Sequence, residues 1–259
     1  PDGTPCVGLW GHMYSRHYSD KNQKPYRDGC WPWVSHSSKV YLAYMKEILG
    51  PQKKARVRTE KENRLTAYHE AGHAVVSHYC KNTDPVKLIT IVPAGRAGGV
   101  TVSRPENDVH YLTREGMLDD IRMSLGGRIA EELIMEDISS GASSDIQQAT
   151  KIARNMVTRY GMSKRLGTVL YGSGHSEVFL GRDYASGKEY SEQTAAVIDE
   201  EIQTIIGDCY ENAKKILEEH VDRLHFVAQY LLKHESMDDD QFCAAMQDDA
   251  TDEMLEAIA

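Results

Sequence analysis

The stretch TAYHEAGHAVVSHY, residues 66–79, sets three histidines and one glutamate among small and apolar residues. Polar groups buried without partners are costly, roughly 2–7 kcal/mol each. Their presence on one apolar stretch therefore calls for a chemical reason. Just upstream, Thr59 and Glu62 have the T-x-x-E spacing of a capping box, which predicts a helix from about 60 to 80. On that helix His69 and His73 are four apart, on one face and one turn from each other.

Two imidazoles so placed can reach one ion, and Glu70, about 100° around the helix from His69, stands beside that ion rather than on it. This is the H-E-x-x-H pattern, written here HEAGH: two neutral nitrogens for Zn²⁺ and a carboxylate to take a proton from a water. Ala71 and Gly72 between them predict close approach of another element at that turn. His78 lies five residues past His73, off this face, and reads as an ordinary core histidine. A catalytic zinc needs a third protein ligand and an open fourth position. Glu131, Glu132 and Asp145 all qualify by residue type, and spacing does not separate them; Asp145 also reads simply as a favourable charge in the first turn of a helix.

Outward from this helix, VKLITIVP (86–93) and GGVTVSR (98–104) read as a short hairpin or edge-strand pair. TREGMLDDIRMSLGGRIAEELIM (113–135) predicts a second helix interrupted at its Gly-Gly pair. Ser144 with Gln147 predicts a capping box opening a helix from about 145 to 160, stopped at Gly161. Residues 162–190 read as a Gly-rich loop. Ser191 then caps a long helix whose apolar stripe runs Ile198, Ile202, Ile205, Cys209, Ala213, Ile216. Helices at 223–234 and 238–246 follow. Thus the expected organisation is an atypical, poorly structured or unrelated extension at 1–45, a linker at 46–58, one mainly α domain at 59–247 and a tail at 248–259.

The composition, 41% hydrophobic and 27% charged over 259 residues, is that of a globular chain with a real core. A net charge of −9 argues against nucleic acid as a partner. No apolar run approaches membrane-spanning length, so the chain is expected to be soluble. The five cysteines are scattered without a C-x-x-C, which fits a reducing compartment. Cys6, His12, His17 and Cys30 match no usual zinc-ligand spacing, so the extension reads as loose rather than as a zinc knot.

Five ordered blocks carry a resemblance: TAYHEAGHAVV (66–76), LITIVPAGRAGGVT (88–101), LGGRIAEEL (125–133), SGASSDIQQATKIARNMVTRYGMS (140–163) and IDEEIQTIIGDCYENAKKIL (198–217). In order and spacing they resemble the peptidase domain of FtsH-type ATP-dependent zinc metalloproteases, from about residue 49 to 247. The resemblance implies a helical zinc metallopeptidase domain with a small β-hairpin or edge strand. It implies His69 and His73 as zinc ligands, Glu70 as general base and Asp145 as third ligand. Glu131 and Glu132 become candidates to orient a ligand histidine, and Ile89, Thr90, Ile91 and Val92 the edge strand that takes an unfolded substrate.

Family members form hexameric rings with an ATPase motor in cis, anchored in the cell membrane with the peptidase on the cytoplasmic side in bacteria, or in an organellar membrane. This chain contains no G-x-x-x-x-G-K-[ST] phosphate loop. The expectation is a zinc-dependent endopeptidase, one Zn²⁺ per chain, degrading unfolded or flexible polypeptides. The alternative from another class is a non-catalytic helical ring-assembly module with a structural or vestigial metal site, built on the 191–219 helix.

Overall fold

A computed structural model describes residues 58–93, 98–105, 111–135, 138–171 and 190–258. The extension at 1–45, its Cys6, His12, His17 and Cys30, and the linker up to residue 57 lie outside the described residues, as does 172–189 of the expected loop.

The expected capping box starts the first helix, α1 (Glu60–Tyr79): the Thr59 Oγ1 accepts from Glu62 N at 3.2 Å, and Thr59 N donates to the Glu62 carboxylate at 2.9 Å. α1 is buried on most of its circumference, with Ala67, Ala71, Ala74, Val75 and Val76 fully inaccessible. It packs against α2 (Arg114–Met135), a helix that runs through Gly126-Gly127 without the expected interruption. The glycines serve the crossing instead. A Cβ on Gly72 would lie 2.5 Å from Gly126 O, and one on Gly126 would lie 2.7 Å from Gly72 O. The two backbones touch there, and the packing gained outweighs the weak helix propensity of glycine.

Two antiparallel strands follow α1 in sequence order around the expected loop, β1 (Val86–Thr90) and β2 (Val100–Ser103), with Ile89 opposite Thr101. A third strand, β3 (Ser236–Asp238), pairs with the other side of β1 and sets Met237 opposite Ile89. The sheet order is therefore β2-β1-β3. This corrects the edge-strand expectation for Ile89, Thr90, Ile91 and Val92. β1 is central, Ile89 and Thr90 have strand partners on both sides, Ile91 N donates to Glu235 O at 2.9 Å, and Val92 N donates to Thr90 Oγ1 at 3.2 Å. Among the described residues, the edge strands of the sheet are β2 and β3.

α3 (Ser143–Thr158) begins two residues before the expected position, and the Ser144–Gln147 capping box does not form. Ala142 is its N-cap and offers no side-chain bond, because the chain enters the helix already coiled through a 3-10 turn at Ser140–Ala142. The cap sits one step earlier: Ser139 Oγ accepts from Gly141 N. α4 (Glu192–Glu219) carries the predicted stripe except at its end, where Leu217 rather than Ile216 is buried. α5 (Val221–His234) ends at Glu235, whose φ of 63° turns the chain into β3. A capping box of Asp238 and Gln241 opens α6 (Asp239–Ala245). Residues 252–258, within the stretch read as a tail, form α7 (Asp252–Ile258) and bury Leu255. Fully buried Ile121, Ile129, Met156, Ile198, Leu217, Leu224, Leu231 and Met237 join these elements in one mainly α core.

Candidate metal centre

α1 presents His69 and His73 one turn apart, their rings edge to face with Nε2 atoms 3.0 Å apart. Each ring is fixed through its other nitrogen. His73 Nδ1 lies 2.7 Å from Met123 O, and His69 Nδ1 lies 2.8 Å from Glu131 Oε1, both on α2. A backbone carbonyl only accepts, so His73 donates from Nδ1 and turns its Nε2 to the middle of the cluster. The Glu131 carboxylate does the same for His69. The two Nε2 atoms then face each other, and the first turn of α3 adds Asp145 Oδ2, 3.3 Å from His69 Nε2 and 3.7 Å from His73 Nε2.

These three groups could hold one metal ion. With Zn–N and Zn–O bonds near 2.0–2.1 Å, tetrahedral ligand atoms stand about 3.3 Å apart. The observed spacings bracket that value, so the donor set fits the ion. The electrostatics agree. Burial presses the His69 pKa down, but Asp145 and Glu131 outweigh it and push it up to about 10. Burial presses Asp145 up, yet the two imidazoles hold it well below the usual carboxylate range. The pocket favours positive charge in the middle and negative charge at its rim.

Glu70 lies on the adjoining face of α1 and is 5% exposed. Thr101 Oγ1 on β2 stands 2.9 Å from its Oε2 and 3.0 Å from its carbonyl. Burial pushes the Glu70 carboxyl up, and the imidazoles of His73 and His69 pull partly back. Space is reserved for both groups: a Cβ on Gly99 would lie 2.8 Å from Glu70 Cγ, and one on Gly127 would lie 2.5 Å from His73 Nε2. Arg58 ties the entry of α1 to this region through Ile91 O at 2.8 Å and through Gly98 O.

Residues 56–244 match the model of peptidase family M41. The chain belongs to that family. Among curated relatives it is 52% identical over 203 residues to ATP-dependent zinc metalloprotease FtsH 2 of Alkaliphilus metalliredigens, covering 78% of this chain and 30% of the relative. It is 47% identical over 216 residues to ATP-dependent zinc metalloprotease FtsH of Caldicellulosiruptor bescii, covering 83% and 35%. It is 49% identical over 195 residues to the FtsH of Bacillus subtilis, covering 75% and 31%. The chain carries an FtsH-type metalloprotease domain and spans about a third of the length of these relatives.

Within this M41 domain the two adjacent glutamates part company. Glu131 is fully buried against His69, whereas Glu132 points away, accepting from the Tyr210 hydroxyl with Lys214 Nζ at 3.8 Å. A step of about 100° along a helix separates them. His78 is exposed at the end of α1, edge-on to Tyr79 and Phe242, away from the cluster. Sequence reasoning missed Thr101, Gly127, the Met123 carbonyl and Ser139. Ser139 donates to both oxygens of Glu131, by its N–H at 2.9 Å and its hydroxyl at 3.0 Å. No local signal marks these residues, since each acts on a partner far along the chain or through the backbone.

Proposed function

We propose that this domain is a zinc-dependent endopeptidase of unfolded or flexible polypeptides, with one Zn²⁺ per chain held by His69, His73 and Asp145 and with Glu70 as general base. One observation carries the reading: one ligand atom each from His69, His73 and Asp145 lies within 4.8 Å of the other two, beside a buried carboxylate. When bound, the ion supplies Lewis acidity at a scissile carbonyl and lowers the pKa of water in the cleft. Glu70 takes the proton of the attacking water on its carboxylate and returns it to the leaving amine nitrogen. Thr101 keeps the carboxylate aimed, and Glu131 keeps His69 in the tautomer that turns Nε2 to the ion.

An extended substrate segment adds to the edge strand β2, the strand that also carries Thr101. Main-chain pairing reads few side chains and suits a broad range of unfolded sequences. The cluster has three protein donors among the described residues, which favours an open catalytic site over a closed structural one of four ligands. In the longer protein, the domain works beneath an ATPase motor in cis, in a homo-hexamer at a membrane, on the cytoplasmic side in a bacterium or within an organelle. The relatives are named ATP-dependent zinc metalloproteases, which supports the motor and the metal.

The test is Glu70→Gln. The variant is expected to keep about one zinc per chain and to lose about 10²–10⁴-fold in cleavage of an unfolded fluorogenic protein. Parental cleavage by the variant would overturn the mechanism.

A further inference from the structure

Glu131 is completely inaccessible to solvent, so its carboxylate depends on the donors the fold brings to it. There are three, and two come from Ser139: N–H to Oε2 at 2.9 Å and hydroxyl to Oε1 at 3.0 Å. The third is His69 Nδ1, on the same Oε1 at 2.8 Å. The Ser139 hydroxyl also accepts from Gly141 N at 3.1 Å, and so caps the 3-10 turn that runs directly into α3 and Asp145. One hydroxyl therefore touches the support of His69 on one side and the delivery of Asp145 on the other.

We propose that Ser139 is a positioning residue of the metal centre, holding the Glu131 carboxylate on His69 while setting the turn that brings Asp145 to the same point. The proposal rests on the reading of His69, His73 and Asp145 as zinc ligands. Without the hydroxyl, Glu131 Oε1 keeps only His69, and the 3-10 turn loses its cap. Both changes loosen the ligand geometry.

The experiment measures zinc affinity by chelator competition, the visible spectrum of the cobalt-substituted protein and the melting temperature of the zinc-free protein, for the parent, Ser139→Ala and Ser139→Thr. Ser139→Ala is expected to bind zinc about 10–100-fold more weakly and to show an altered cobalt spectrum. Ser139→Thr, which keeps the hydroxyl, is expected to restore both. A Ser139→Ala protein with parental zinc affinity and cobalt spectrum would overturn the proposal, even if it melted lower, since a purely structural role moves only the melting temperature. A parent that binds no zinc would overturn the metal reading itself, and this proposal with it.

Discussion

Gly127 shows how little room the imidazoles leave. A Cβ there would lie 2.5 Å from His73 Nε2 and 2.7 Å from His69 Cε1. Neither ring can swing aside freely, because each is tied by Nδ1 to an acceptor on α2, at 2.7 Å and 2.8 Å. Gly127→Ala is expected to weaken zinc binding by at least about tenfold while helix content stays parental, read by metal content and circular dichroism. pH adds a second handle on the same residues. Burial lowers the His69 pKa, but Asp145 and Glu131 raise it from 6.5 to about 10 in the folded chain. A raised folded value means that the charged imidazole stabilises the zinc-stripped fold. That contribution is complete below about pH 6.5 and is lost as pH rises through about 10. Chelator-treated protein should therefore melt lower at about pH 10.5 than at pH 7, and His69→Gln should flatten the difference relative to the parent. Asp145 behaves oppositely: held below its usual range, it stabilises above that range and is lost only as acid protonates it.

The crossing of α1 and α2 is where element geometry sets the site. Gly72 and Gly126 let the two backbones touch, and this closeness lets Glu131 and the Met123 carbonyl reach the imidazoles. In Gly72→Ala the new methyl would meet Gly126 O at 2.5 Å and Ala130 Cβ at 2.6 Å, atoms that cannot rotate out of the way. Alanine is intrinsically better in a helix by about 1 kcal/mol, so the sign decides between propensity and packing. We expect packing to win, with a net loss of about 1–3 kcal/mol in urea unfolding. The close approach at Gly72 was legible from HEAGH, since small residues between the histidines leave a helix face bare. The third strand was not. Three residues at Ser236–Asp238 show no useful alternation, and the turn into them depends on Glu235 adopting a left-handed conformation that glycine would have announced.

At the scale of the whole molecule, the C-terminal residues complete the core. Leu255 on α7 is fully buried, the Gln241 side chain reaches its carbonyl at 3.5 Å, and Lys233 pairs with Glu256 at 2.6 Å. Leu255→Ala is expected to destabilise the protein by about 2–5 kcal/mol in denaturant unfolding. A flexible tail would show no change. No described helix is long and apolar enough to cross a membrane. The chain spans about a third of the length of the relatives it matches.

Local chemistry announced the helices and the histidine pair. Hydrophobic period, the Thr59 and Ser191 caps, and a four-residue spacing on one helix are properties of neighbouring residues, readable wherever the chain folds. The choice of Asp145 over Glu132 as neighbour of the imidazoles, the burial of Glu131, the reach of Thr101 to Glu70 and the double role of Ser139 could not be read that way. They join residues from α1, α2, β2 and α3, and they follow from how closely two glycine-bearing helices pack and where a 3-10 turn aims the next helix. Such distances belong to the packed core and to no single stretch of sequence.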